Sequence, residues 1–315
     1  MLDDPTIDDI RDAARRIEPY VHRTPVATCA SIDAIAGMTL FFKCENLQKA
    51  GAFKARGATN AVFSLDDNEA APGVCTHSSG NHAAALARAA GLRGIPAHIV
   101  MPSSAPPVKK AAVAGYGAVI TECEPTLEAR ETTLARVQQR IGATFIHPYD
   151  DPRVIAGQGT AALELLDQVP DLEVMMPPIG GGGLASGTTI AVSSLRPEIE
   201  VWGAEPAGAD DAFRSLRDGR RYPSVQPVTI ADGLLTALSD RTFRILYRGL
   251  AGILTVDEPT IVEAMRLLWE RAKILVEPSA AVPLAAVLAN RDRFEGRRVG
   301  LILSGGNTNL DKLPW

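Results

Sequence analysis

Long apolar runs are missing from this chain of 315 residues. A membrane-spanning helix needs ~20 consecutive apolar residues, and no stretch supplies them. The N-terminus, MLDDPTIDDIRDAARRI, is acidic and then amphipathic, without the apolar segment of a signal peptide. A soluble, unexported, cytoplasmic protein is the expectation. Cysteine is scarce: Cys29, Cys44, Cys75 and Cys123 show no C-x-x-C spacing, and they read as reduced, mostly buried thiols. The five histidines offer no H-E-x-x-H pair, which argues against a zinc site. Positive charge is not in excess either. With 32 basic and 37 acidic residues and a net charge of -5, nucleic acid and anionic membranes are poor partners, and a small molecule is the better one.

What is present is an ordinary globular mixture, 46% hydrophobic and 22% charged, so a well-packed core is expected. Short apolar runs alternate with longer helical patterns. Thr39 to Cys44, Gly73 to Thr76, Ala97 to Met101, Ala118 to Thr121, Glu173 to Met176, Ile199 to Ala204 and Val299 to Leu303 read as strands. Ala83 to Ala90 and Ile261 to Lys273 carry helical periodicity. This alternation implies an α/β fold with parallel sheets covered by helices on both faces. The strands clustered between Gly73 and Phe145 suggest a small domain, residues 67–150, inserted in a larger one made of residues 1–66 and 151–315. Sheets of this class bind ligands at the carboxyl ends of their strands.

Glycine loops fall at those ends. Gly180-Gly181-Gly182-Gly183-Leu184 follows the strand Glu173 to Met176 and opens a helix. Four bare N–H groups at a helix N-terminus suit a phosphate. A Walker A loop is excluded by the absence of Gly-Lys-Ser/Thr, whereas a dinucleotide reading is satisfied by Gly180, Gly182 and Ala185, with Glu205 as the ribose acid. That reading leaves three other features unused. Lys54 stands in Gly51-Ala52-Phe53-Lys54-Ala55-Arg56-Gly57, where sparse charge would ease loss of its proton. Thr76-His77-Ser78-Ser79-Gly80-Asn81-His82 precedes a helix and suits an amino-acid carboxylate. Ser304, in Ser304-Gly305-Gly306-Asn307, could bond a pyridine nitrogen without protonating it. A Schiff-base lysine, a phosphate cradle and a ring-nitrogen partner are together what an enzyme needs to hold pyridoxal phosphate. Glu205, Asp210 and Asp211 cluster around a turn and could hold magnesium, manganese or calcium; a helix-capping acidic turn is the competing reading.

Taken in order, these segments resemble the fold-type II (tryptophan synthase β-like) pyridoxal-phosphate enzymes, in the serine/threonine dehydratase and serine racemase branch. The resemblance runs from His22-Arg23-Thr24-Pro25 through Ala156-Gly157-Gln158-Gly159-Thr160 and Val276-Glu277-Pro278-Ser279 to the Ser304 loop. Within that branch, Phe41-Phe42-Lys43-Cys44-Glu45-Asn46 and the ending Asn309 to Trp315 are most similar to the 3-hydroxyaspartate ammonia-lyases. The resemblance implies two domains with the cofactor between them. Lys54 would be the Schiff-base lysine and base, Phe53 would pack on the ring, and Asn81 would meet its 3′-hydroxyl. Gly180 to Gly183, with Leu184, would bind phosphate, and Ser304 the ring nitrogen. Ser78, Ser79, Asn81 and His82 would bind substrate, with Ser79 the opposite-face acid/base of the racemases. Glu205, Asp211 and the Ala209 carbonyl would hold Mg or Mn. The chain departs from the branch at Ala52, where serine is usual, and at Tyr149, where Asn or Phe is usual.

The implied reaction is β-elimination on a β-hydroxy amino acid, with 3-hydroxyaspartate giving oxaloacetate and ammonia. Serine/threonine dehydration, serine or aspartate racemisation and a non-catalytic ligand sensor on the same fold are the rival readings. A second substrate carboxylate would need a cation or donor, for which Arg56 and Arg153 are candidates, with structural ion pairing as their competing role. A homodimer is expected.

Overall fold

In the computed structural model, which describes residues 3–78, 80–105 and 107–315, ten strands form two sheets among the described residues. In chain order they are β1 (Val26–Ala27), β2 (Thr39–Lys43), β3 (Val74–His77), β4 (Ala97–Pro102), β5 (Val119–Cys123), β6 (Thr144–Phe145), β7 (Val174–Met176), β8 (Glu200–Pro206), β9 (Gly252–Val256) and β10 (Arg298–Ile302). The six-stranded sheet runs β1-β2-β10-β7-β8-β9, and only β1 pairs antiparallel. The four-stranded sheet, β5-β4-β3-β6, is wholly parallel. All seven strands expected from the sequence are present. β1 and β6 are two-residue strands, too short for a period to register, and β9 follows its helix with little turn chemistry to announce it.

Side-chain alternation explains why both sheets are sandwiched. In the large sheet Val174, Met176, Val299 and Leu301 face the helix Pro278–Ala289. Met175 and Ile302 face the opposite way, toward the helices Pro152–Gln168 and Gly183–Leu195. In the small sheet Val74, Ile99 and Met101 pack on Ala83, Leu86 and Ala90 of the helix Asn81–Arg93. Cys75 and Val100 pack on Leu134 and Val137 of the helix Leu127–Ile141. Strands buried on both faces read as continuous apolar runs, which is how the sequence carries them. The helix expected over Ile261 to Lys273 is two pieces, an α-helix Glu258–Leu267 and a π-helical stretch Leu268–Ala272, closed by Lys273 at φ 61°. Cys44 and Cys75 are buried and free; Cys29 and Cys123 are also free but only half-buried.

Candidate active site

Lys54 opens the helix Lys54–Phe63, and the segment before it is stitched to the end of the chain. Ala52 forms an isolated bridge with Gly305, and the Phe53 N–H donates to the Ser304 carbonyl at 3.0 Å. The Lys54 ammonium is half-buried, donates to the Pro148 carbonyl at 2.8 Å, and lies 5.1 Å from the Phe53 ring centroid. Burial pulls its pKa down to about 8. A lysine so poised keeps a usable share of neutral amine near neutral pH, as attack on a carbonyl requires.

The glycine loop follows β7 and packs on Tyr149, the residue after the Pro148 carbonyl that holds Lys54. Its side-chain directions are filled by protein: a Cβ on Gly181 would stand 2.4 Å from the Tyr149 ring, and one on Gly180 3.0 Å from Leu234 Cα. Gly182 has φ +85° and would also strike Leu238 at 2.7 Å, so no L-residue with a Cβ fits. The opposite aspect is different. The N–H groups of Gly180 to Gly183 are buried, yet none donates to a carbonyl or side chain among the described residues. They stand at the N-terminus of the helix Gly183–Leu195, where the dipole favours an anion. Leu184 is buried in the first turn.

The loop after β3 faces Lys54 from the small sheet. The Ser78 hydroxyl accepts from the Gly80 N–H at 3.3 Å. His82 is buried, with Nε2 3.2 Å from the Ile146 carbonyl and Nδ1 unpartnered. Burial, then the nearby Lys54 charge, hold its imidazole neutral. Ser79 lies outside the described residues. Asn81 reaches across to the large sheet, donating to Glu277 at 2.9 Å and accepting from Asn307 at 2.9 Å. Glu277 is fully enclosed, and burial pushes its carboxyl up to about 7. Gly305 passes so close to it that a Cβ there would lie 2.6 Å from a Glu277 oxygen. Ser304 is buried at the end of β10.

Glu205 and Asp211 are buried together at the end of β8. Glu205 accepts from the Ala212 and Phe213 N–H groups at 3.1 and 2.9 Å, so it caps the helix Asp211–Asp218. Burial drives its pKa well upward. Both Asp211 oxygens are buried without a hydrogen bond of good geometry, and burial lifts the carboxyl to about 6 even though its own N–H and the Ser224 hydroxyl lie near enough to pull it down. Ala209 is buried in the turn between them. No cluster of three or more His, Cys, Asp or Glu side chains at ligand distance exists among the described residues, so a cation here would need carbonyl and water ligands too.

Residues 17–305 match the family of pyridoxal-phosphate dependent enzymes. This chain belongs to that family. It is 54% identical over 311 residues to the β-hydroxyaspartate dehydratase of Paracoccus denitrificans (strain Pd 1222), covering 99% of each chain. It is 50% identical to the serine racemase of Dictyostelium discoideum, covering 98% of this chain and 96% of that one. That racemase's crystal structure superposes with a TM-score of 0.94, over 97% of this chain and 99% of that one. The T.th. threonine deaminase is 45% identical with a TM-score of 0.93, over 97% of this chain and 99% of that one. The fold is therefore that of fold-type II pyridoxal-phosphate enzymes.

The enzyme's residues fit the cofactor on their own terms. Unpartnered glycine N–H groups at a helix N-terminus suit its phosphate, and a desolvated lysine amine suits its aldehyde. Three neighbours had no site role assigned from sequence. Glu277 ties Asn81 in place, Tyr149 backs the glycine loop, and His147 stands edge-on to Tyr149 with ring centroids 4.6 Å apart. The departure at Tyr149 was the one local signal among them. Arg56 and Arg153 are both spoken for. Arg56 is fully buried and paired with Glu45 at 2.7 Å and Glu164 at 2.7 Å, while Arg153 is held by Asp151 at 2.9 Å.

Proposed function

We propose that this enzyme is an ammonia-lyase that eliminates the β-hydroxyl of 3-hydroxyaspartate, giving oxaloacetate and ammonia. The observation that carries the reading is Lys54, a desolvated amine held by the Pro148 carbonyl, whose neighbour Tyr149 packs on the glycine loop and whose charge is felt by His82. The likeness to the Paracoccus dehydratase supports the substrate. Pyridoxal phosphate, when bound, supplies an electron sink for the charge left at the substrate α-carbon. The protein does the rest. The N–H groups of Gly180 to Gly183 hold the phosphate, Phe53 packs on the ring and Asn81 bonds its hydroxyl. The Ser304 hydroxyl would serve the ring nitrogen and leave it uncharged, a weaker electron sink that would suit elimination. Ser78, Ser79, Asn81 and His82 bind the α-carboxylate. Lys54 Nζ takes the α-proton, the β-hydroxyl departs as water on a proton that the cofactor phosphate would supply, and the released enamine takes up water to give the 2-oxo acid and ammonia. With a panel of 3-hydroxyaspartate stereoisomers beside serine and threonine at matched concentration, one 3-hydroxyaspartate isomer should release 2-oxo acid and ammonia fastest. Preference for serine or threonine would discard the substrate and keep the chemistry.

A divalent cation, Mg or Mn, belongs to the same reading, held by Glu205, Asp211 and the Ala209 carbonyl. The two Asp211 oxygens support it, since buried carboxylate oxygens rarely go without a good hydrogen bond. Chelation is expected to lower both thermal stability and activity, and Mg or Mn to restore them; Asp211→Asn should abolish the response. A chelator without effect on either would remove the cation. The homodimer and the cytoplasmic location are also proposals, the second supported by four free cysteines. No helix among the described residues is long and apolar enough to cross a membrane.

A further inference from the structure

The second carboxylate of 3-hydroxyaspartate lacks a holder in the account above, because the arginines considered from sequence are engaged elsewhere. Every nitrogen of Arg56 has a protein acceptor, and Arg153 forms a fork on Asp151 at 3.1 and 2.9 Å. The segment His147 to Asp150 is better placed. It spans the site from one reacting group to the other: the Pro148 carbonyl takes the Lys54 hydrogen bond, and the next ring, Tyr149, packs under Gly181 and Gly183.

The His147 ring orientation is fixed. Its Nδ1 accepts two backbone N–H groups, from Asp150 at 2.8 Å and Tyr149 at 3.3 Å. The ring sits edge-on between Tyr149 and Phe145, with centroids at 4.6 and 5.6 Å. A ring nitrogen that accepts twice leaves the proton on the other, so Nε2–H is an obligatory donor. It has no acceptor among the described residues. The acids nearest in sequence are taken, Asp150 by Arg241 at 2.9 Å and Asp151 by Arg153 at 2.9 Å. Half-buried beside His77, His82 and Lys54, His147 feels the charges of Asp150 and Asp151, but both carboxylates are already held by arginines, so its Nε2–H stays free for a further anion.

We infer that His147, through Nε2–H, binds the distal carboxylate of the substrate and so sets the enzyme's preference for a dicarboxylic β-hydroxy amino acid. This rests on the 3-hydroxyaspartate reading and names the residue that would enforce it. Burial keeps the free imidazole neutral, with a pKa of about 4, so the contact is a neutral donor on a carboxylate.

Two variants separate this role from the backbone cap. His147→Asn keeps an oxygen able to accept the Tyr149 and Asp150 N–H groups and removes the Nε2–H donor. His147→Gln places an amide N–H near the Nε2 position and loses the cap. The readout is the ratio of kcat/KM for 3-hydroxyaspartate to kcat/KM for serine. His147→Asn is expected to lower that ratio about ten- to hundredfold, the range for one hydrogen bond to a charged group, chiefly through KM. His147→Gln should recover part of it. Succinate binding to the holoenzyme, followed by calorimetry, should weaken about tenfold in His147→Asn. An unchanged ratio with unchanged succinate binding overturns the inference, as does an equal loss on both substrates, which would mark the cap alone. If the wild-type enzyme itself prefers serine, the 3-hydroxyaspartate reading fails first and takes the inference with it. If the wild type prefers 3-hydroxyaspartate and His147→Asn keeps that preference, only the inference fails.

Discussion

Replacing Lys54 with alanine is expected to cut ammonia release by at least about 10^4-fold, since in the proposed reading it is both the base, worth about 10^2- to 10^4-fold, and the cofactor's tether. The visible absorbance of lysine-bound pyridoxal phosphate should vanish with it. Lys54→Arg should be as inactive, because a guanidinium fills the space and cannot release its proton. The pH dependence has a definite sign. With a pKa near 8 in the fold, the amine is mostly protonated below that value, so cofactor uptake by the apoprotein should quicken as pH rises toward and past about 8. The same depression means that the folded state carries a disfavoured cation below about 8, a penalty that fades as pH rises toward the unfolded value of 10.5. Lys54→Ala is therefore expected to melt no lower than the wild-type apoprotein at pH 7. Turnover that persists in the alanine variant would remove Lys54 from the chemistry.

The largest loss of stability is expected at Arg56. Its guanidinium, fully buried, bonds Glu45 at 2.7 and 2.8 Å, Glu164 at 2.7 and 2.8 Å and the Thr160 hydroxyl at 3.2 Å. Lys43, also fully buried, joins through Glu164 at 2.6 Å. Arg56→Met strands Glu45 without its principal counter-ion, and breaking a buried pair from one side costs about 3–5 kcal/mol. For a protein of this size that corresponds to a fall of roughly 10 °C in Tm. Burial opposes ionisation of Glu45, yet Arg56 outweighs it and holds the carboxyl below 4.5. In the wild type this pairing stabilises the fold above the unfolded pKa and is lost as pH falls through the depressed one. In Arg56→Met the sign reverses: Glu45 favours its neutral form, and the variant weakens as pH rises past 4.5. The gap in Tm between the two proteins should be wide at about pH 7.5 and narrow at about pH 4, and adding Glu45→Gln should return part of it. Equal melting of wild type and variant at neutral pH would show that the network contributes nothing net.

How much of this was legible in the sequence follows the range of the interactions. Periodicity is local, so the seven longer or better-bounded strands and the helical stretches at Ala83 and Ile261 could be read directly. The glycine loop was legible because four consecutive glycines have few other uses. Pairings between distant side chains leave no local trace. Nothing around Glu277 announces that it will hold Asn81, and nothing in His147-Pro148-Tyr149 says that this segment will run between Lys54 and the glycine loop. Arg56 and Arg153 read as candidates for the distal carboxylate or as structural ion pairs, and packing decides for the ion pairs by giving each its carboxylates. The acidic turn stayed ambiguous for the opposite reason: Glu205 does cap a helix, and Asp211 is still left without a good hydrogen bond.

The seam between β2 and β10 has a consequence for biosynthesis. Thr39 pairs with Arg298 and Lys43 with Ile302, and the residues flanking Lys54 are tied to Ser304 and Gly305. A ribosome releases β2 long before β10. Until then one long edge of β2 has no neighbour, and the lysine segment has nothing to dock against. The small sheet, by contrast, draws all its strands from one contiguous stretch and can close while the rest is still being made. Nascent chains are thus expected to carry a finished small sheet beside an unpaired apolar strand, the form in which this protein is most exposed to aggregation and most in need of a chaperone.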